Sequence, residues 1–264
     1  MTRKLGFALV GAVTLYALVG PALHAHDPVR KNVSAGLTAL GEPRPPSRQY
    51  PLGTDVFGRC VAARVAAGAR LSLGIGVAAA LLALLVGTAI GMFAGFSGGA
   101  VDAVLMRATD LVLSFPFVLL VIALGAGLRG RASGVATVLL VLVIAGWTQS
   151  ARVIRGRTRV VRELPFVEAA RASGATTARI LLRHVLPSLL PTALALGALS
   201  VATMILAEAG LSYLGLGSPP PAASWGRMLE EAQPYFSTAP WLIAGPGIAL
   251  VVTVLGFHLL GERK

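Results

Sequence analysis

Few side chains in this sequence are equipped for chemistry. Cys60 is the sole cysteine, so neither an intramolecular disulfide nor a cysteine metal cage can form. The histidines are His24, His26, His184 and His258. His24-Ala-His26-Asp27 could hold a metal ion, but no further ligand clusters beside it, and a solvated loop is the expected reading. Asp102 and Asp110 lie without a histidine or metal ligand nearby, so they are not read as a catalytic pair. The lysines are Lys4, Lys31 and Lys264, and none follows a glycine-rich loop. A phosphate cradle of the Gly-x-x-x-x-Gly-Lys type is therefore missing from the sequence. No Ser–His–Asp set falls in the apolar stretches. These patterns point away from bond chemistry in this chain and toward binding and movement.

One stretch has the makings of a handle. Glu168-Ala-Ala-Arg-Ala-Ser-Gly174 is followed by His184-Val-Leu-Pro187, inside the most basic segment of the chain. Pro165 suits a first helical turn, where its missing N–H would be unpaired anyway. Phe166, Val167, Ala169 and Ala170 make a small apolar knob. Gly174 tolerates positive φ and can end the short helix. Glu168 sits near the helix start, where a carboxylate is favoured and stays free to pair with an arginine on a partner. The expectation is a short helix, a glycine break and a second helix ending in Leu186-Pro187.

The elements that carry this handle are apolar. The 264 residues are 55% hydrophobic and 13% charged, against about 25% charged in a soluble protein. The net charge of +12 suits lipid headgroups around membrane spans better than nucleic acid. Spans are expected at 5–23, near 71–95, at 111–128, 132–151, 188–207 and 239–260. The first run is longer than a signal-peptide core of ~7–15 residues, so a retained span is expected over a cleaved leader. Residues 41–53 are proline-broken, and Thr54 is expected to cap an interfacial helix reaching about Ala67, with Arg59 and Arg64 snorkelling. Gly87, Gly91 and Gly95 have the spacing of a helix-packing seam. Arg107 and Asp110 can pair three residues apart, and Ser114-Phe-Pro-Phe117 should kink or restart a helix. Six spans place both termini on one side, with the turn at 96–110 and the basic loop 152–187. The charge asymmetry across the membrane is weak, so charge alone does not set the orientation.

That loop resembles the signature loop of ABC importer permeases. Glu168, Ala169, Ala170, Gly174, Leu186 and Pro187 carry the match, with His184 where isoleucine is frequent. Leu211-Ser-Tyr-Leu-Gly-Leu-Gly217 and Ser224-Trp-Gly226 resemble the segment after the fifth span of C-type permeases of dipeptide, oligopeptide and nickel importers. Leu52-Gly-Thr-Asp55, Gly58-Arg59, Asp102, Arg107, Asp110 and Phe115-Pro116 fit the same family, while Cys60 departs from its usual aspartate. The resemblance implies an all-α, six-span membrane protein. It implies residues 1–69 as first span, outer loop and interfacial helix, and 70–264 as the importer transmembrane domain.

It further implies a permease subunit working by alternating access, most simply for dipeptides or short oligopeptides. Nickel, glutathione or haem-type cargo are alternatives, and an ion-coupled secondary transporter is the rival class. Phe166, Glu168, Ala169, Ala170, Arg171, Gly174, Leu186 and Pro187 would couple to the ATPase; Glu208, Tyr213, Trp225 and Arg227 would form an outer mouth or binding-protein contact. No cofactor belongs to this chain; ATP and Mg would sit in two partner ATPase subunits. A B-type permease and an extracytoplasmic substrate-binding protein complete the implied assembly. It would reside in the bacterial inner membrane with both termini cytoplasmic.

Overall fold

The computed structural model describes residues 2–24, 26–128, 134–219 and 221–261. The expected connection through 129–133, the middle proline of Pro219-Pro-Pro221 and the charged tail 262–264 lie outside the described residues. Helices follow one another as α1 (Thr2–Leu23), α2 (Val33–Gly36), α3 (Val61–Ser97), α4 (Gly99–Leu113), α5 (Phe117–Gly127), α6 (Gly134–Arg162), α7 (Pro165–Ala172) and α8 (Thr177–Ile180). A π-helical turn (Leu181–Val185) leads into α9 (Leu186–Tyr213), followed by α10 (Trp225–Ala232) and α11 (Trp241–Gly261). Extended pairing among the described residues is limited to two isolated bridges, Leu37 with Pro43 and Thr54 with Cys60.

Five of these helical segments are long and apolar enough to cross a membrane: α1, α3, α6, Thr177–Tyr213 and α11. The pair α4 and α5 would make a sixth if counted as one broken span, bent by 86°. The kink at Ser114-Phe-Pro is therefore a sharp break, because proline cannot supply the N–H that would continue α4.

α3 is the axis of the bundle. Its 37 residues reach about 55 Å, more than a bilayer core of ~30 Å. Gly87, Gly91 and Gly95 lie against α6, where a Cβ would collide with the carbonyl oxygens of Trp147, Ala151 and Arg155. This is the small-residue seam expected from their spacing, and it lets two backbones touch where lipid offers no hydrophobic drive to association. The main core gathers Ile75, Ala79 and Ala83 of α3, Val138, Val141 and Leu142 of α6, and Met204 and Ile205 of α9. α1 packs at Gly6 on Gly256 of α11. It is tied to α3 by Arg70, whose guanidinium donates to the carbonyls of Ala17 (2.6 Å) and Leu18 (2.7 Å).

The interfacial helix from Thr54 does not form. Asp55 accepts backbone N–H bonds from Phe57 and Arg59 (both 2.9 Å), and Gly58 takes a φ of 72°. That turn competes with helix, so α3 starts at Val61 and runs unbroken through the 69/70 division. Thr54 caps nothing; its hydroxyl donates to the Gly36 carbonyl (2.6 Å) and accepts from the Arg44 N–H (2.7 Å). Val61, Ala62, Ala63, Val65 and Ala66 are buried all round, which no helix lying on a membrane surface would be.

Candidate functional site

The handle is a short helix on a rigid mount. α7 starts at Pro165 with Leu164 as its N-cap and ends where Gly174 adopts a φ of 77°. The Gly174 N–H reaches the Arg171 carbonyl (3.0 Å) and the Ala175 N–H reaches the Ala170 carbonyl (3.1 Å), closing the last turn. Val167 is fully buried and plugs into a second apolar cluster with Ile154 and Val161 of α6, Ile180, Val185 and Leu189. On either side of it Phe166 is 43% exposed and Glu168 is exposed. Ala169 and Arg171 also face outward. Thus α7 is anchored by Val167, with Ala170 packed beside it, and offers Phe166, Glu168, Ala169 and Arg171 outward. Sequence reading placed Val167 in the knob; the structure makes it the anchor, and periodicity in so short a helix carried no signal to separate the two.

Leu186 and Pro187 do not end a helix. Residues 177–213 run on as one apolar segment through the π-helical turn. Pro187 has no N–H to offer to the preceding turn, and the Leu186 N–H bonds five residues back to Leu181. The extra residue in that turn absorbs the missing bond without breaking the helix. The motif proline is thus a bulge in the stem that supports α7, a step away from the exposed face.

The basic segment of α6 is clamped to α4. Arg155 makes two bonds to the Asp102 carboxylate, and Arg159 joins at 3.2 Å. Asp110 pairs with Arg152 (2.7 Å) and not with Arg107 as its spacing suggested. Packing of α4 on α6 brings the longer-range partner closer than the same-helix one.

The other end of α3 holds charge inside the protein. Arg59 and Arg64, 5% and 1% exposed, do not snorkel. Both bond to Asp55 (2.6 and 2.8 Å) and both to Glu231 of α10 (2.7 and 3.0 Å). Burial pushes the Glu231 carboxyl above the usual carboxylate range, and the Arg59 guanidinium beside it draws it back. Sequence reading missed this cluster, since no local spacing joins residue 55 to residue 231.

The residues expected at an outer mouth have mostly structural surroundings. Trp225 is fully buried and its indole N–H donates to the Val65 carbonyl (3.0 Å). Glu208 is also fully buried. It meets neither an arginine nor an open mouth: the hydroxyls of Ser72 (2.9 Å) and Ser212 (2.7 Å) donate to its two oxygens. The Trp225 backbone N–H donates in turn to Ser72 (3.3 Å), so α3, α9 and α10 meet at this carboxylate. Arg227 lies near Glu230 (3.4 Å) and Glu231 (3.5 Å). Tyr213 alone of the four is well exposed, at 40%.

Between the two ends lies a cavity of about 520 Å³ at the α4–α5 break. Phe115, Phe117 and Leu120 form its apolar side, and Thr148, Gln149, Ser200 and Thr203 bring uncharged polar groups. His26, Asp27, Arg30 and Lys31 border a separate surface cleft at the Arg59 end. The His26 ring rests at 4.9 Å from that of Tyr50, and no group of three or more His, Cys, Asp and Glu comes together among the described residues.

A glycine-seamed bundle with a broken span, an exposed short helix on a rigid stem and a cavity lined by apolar and uncharged polar groups defines a membrane permease. Residues 87–263 match the family described as binding-protein-dependent transport system inner membrane component, and the chain belongs to that family. It is 36% identical over 257 residues to the oligopeptide transport system permease protein OppC of Bacillus subtilis, covering 97% of this chain and 81% of that one. It is 34% identical to the dipeptide transport system permease protein DppC of Alkalihalophilus pseudofirmus, covering 97% and 82%. The glutathione transport system permease protein GsiD of Pectobacterium atrosepticum is 38% identical, with 82% of this chain and 71% of that one covered. The fold matches an inward-facing crystal form of the MetNI methionine ABC transporter with a TM-score of 0.59 at 19% identity, covering 74% of this chain and 91% of that one.

Proposed function

We propose that this chain is the C-type permease of an importer for short peptides, driven through α7 by two partner ATPase subunits that hold ATP and Mg. A B-type permease shares the membrane path with it, and an extracytoplasmic binding protein delivers substrate. The chain itself makes and breaks no bonds. In this reading the α7 end faces the cytoplasm with both termini, residues 152–187 form the coupling loop, and the Arg59–Glu231 end faces outward. Relatives named for oligopeptides, dipeptides and glutathione favour cargo built on peptide bonds.

The observation that carries the coupling role is the division of labour along α7. Val167 is fully buried, while Phe166 and Glu168 beside it stand out from the bundle. A lever needs that combination: a tip free to be gripped and a root that transmits the pull. A partner's closure would move α7, and the 154–189 cluster would pass the displacement to α6 and α9.

The test uses the complete importer in proteoliposomes with Glu168→Lys. Assembly in the membrane should match the parent, and substrate-stimulated ATP hydrolysis should be lost. Stimulation and uptake at parent levels in that variant would reject the role.

A further inference from the structure

The cavity at the α4–α5 break has a chemistry that the lever does not use. We infer that it is a way station for the carboxylate of the cargo, received by the N-terminus of α5 and the hydroxyl of Thr148 rather than by a lysine or arginine. This rests on the importer reading and adds a subsite to it.

The argument starts from orphaned donors. α5 begins at Phe117 after Pro116, and no side chain caps it. Its first turn leaves the N–H groups of Phe117, Val118 and Leu119 without a partner; the Leu120 N–H is the first to be satisfied, by the Pro116 carbonyl (3.0 Å). Phe115, Phe117 and Leu120 line the cavity, so this helix end opens onto it. Unpaired N–H groups at the start of a helix carry partial positive charge and favour an anion. Inside a bilayer they cannot be left to lipid.

Thr148 supplies a second and independent sign. It is 2% exposed, lines the same cavity, and its hydroxyl makes no hydrogen bond among the described residues. Some buried helical hydroxyls bond back one turn, Thr158 to Ile154 (2.8 Å) and Thr253 to Ala249 (2.6 Å). Thr148 and Ser150 of α6, both buried, make no such bond, and both line the cavity. Gln149 and Ser200 lie beside it with amide and hydroxyl donors.

The surroundings suit an anion that must also leave. Asp110, three residues before the lining residue Leu113, has its charge drawn to Arg152 at 2.7 Å. His258 also lines the cavity and is engaged in a contact of its own. With no lysine or arginine in the lining, a carboxylate would be held by the helix dipole, hydroxyls and the Gln149 amide, with His258 the one lining side chain able to carry positive charge. Such holding is weak, which a transit site requires. The end of α4 also borders the cavity through Val112 and Leu113, and its carbonyl dipole would favour a cation instead. The two preferences give opposite results in the experiment below.

The complete importer is reconstituted with Cys60→Ser and Thr203→Cys, placing one thiol of this chain in the cavity. It is labelled with 2-sulfonatoethyl methanethiosulfonate or with the trimethylammonium analogue. Adduct formation on this chain is followed by mass spectrometry, and the ratio of rates is normalised to that on a free thiol. The anionic reagent should be favoured roughly threefold or more. Pro116→Asp, which caps α5 with its own carboxylate, should bring the ratio to one or below; Thr148→Val should roughly halve it. L-Ala-L-Phe should slow labelling by the sulfonate, and its C-terminal amide should not. A parent ratio at or below one, or a ratio unmoved by Pro116→Asp and Thr148→Val, overturns the inference. Should Pro116→Asp fail to assemble, Thr148→Val and the acid–amide comparison decide it. ATP-dependent uptake is measured in the same vesicles: uptake without anion preference sinks this site alone, whereas uptake independent of ATP sinks the importer reading.

Discussion

The short helices packed near the two ends of α3, α10 and α7, handle charge in opposite ways. At the Val61 end, Glu231 of α10 is drawn in to pair with Arg59 and Arg64, which also bond to Asp55. Near the Ser97 end, Asp102 is buried beside Arg155 and Arg159, but on α7 Glu168 and Arg171 are left outside, and an apolar residue, Val167, is the fully buried anchor. Buried charge is expensive to strand, so it locks a structure in one arrangement. Exposed charge costs little and is available to a partner. α10 is therefore locked to α3 by buried charge, while α7 keeps its charge in reach of a partner.

The largest expected effect comes from breaking the locked end. Arg64→Met leaves Asp55 and Glu231 sharing Arg59, with a carboxylate under-compensated inside the protein. A loss of about 3–5 kcal/mol is expected. It should appear as a marked drop in the melting temperature of the purified complex and in the yield of folded chain. A melting temperature equal to the parent's would mean that α10 is held by Trp225 and its apolar neighbours, with the charges incidental.

The next effect lies at the root of the lever. Val167→Ala removes two methyl groups from a packed cluster and should cost about 2 kcal/mol. Coupling should suffer beyond stability, because a loose root lets α7 slip under load. The signature is a rise in ATP hydrolysed per substrate moved at a temperature where the complex stays intact. An unchanged ratio would place the transmission elsewhere on α7.

A smaller effect belongs to Gly174. A Cβ there meets nothing within 4 Å, so space is not the issue. The φ of 77° is, and Gly174→Ala should cost about 1 kcal/mol through backbone strain alone. Gly156→Ala, at a helical glycine with open space and no positive φ, should carry no such cost, and circular dichroism melts of the complex would show the difference.

These contrasts also say what could be read from the sequence. Five of the six spans could, because charge-free runs are long and lipid leaves few alternatives: the last was expected at 239–260 and runs Trp241–Gly261, whereas the one expected at 111–128 is broken at Ser114-Phe-Pro. The seam at Gly87, Gly91 and Gly95 was legible as well, since close helix approach selects small residues at that spacing. What failed was long-range or depended on competing local bonds. Asp110 was paired with Arg107 because spacing shows only same-helix neighbours, and such pairs bring just ~0.2–0.5 kcal/mol, too little to hold against Arg152 on the next helix. Thr54 looked like a cap, and the Asp55 side chain beside it formed a turn instead. Glu208 and Trp225 read as interface residues from their position after an apolar run, and the fold turned them inward.

The smallest expected change in stability tests the free end most directly. Glu168 is exposed and its side chain makes no bond among the described residues, so Glu168→Gln should alter the melting temperature of the complex by no more than about 0.5 kcal/mol would produce. Its neighbour Val167 sets the contrast, one residue away and opposite in both readouts. If Glu168 pairs with a cation on the ATPase, loss of its charge should lower substrate-stimulated hydrolysis in the assembled importer and leave the isolated chain untouched. The charge can then be sought on the other side: reversing a candidate ATPase arginine to glutamate should be rescued by Glu168→Lys and not by Glu168→Gln. Rescue by both would show that bulk alone seats α7 in its groove. Rescue by neither would return Glu168 to an ordinary solvated side chain and leave Phe166 as the contact that is gripped.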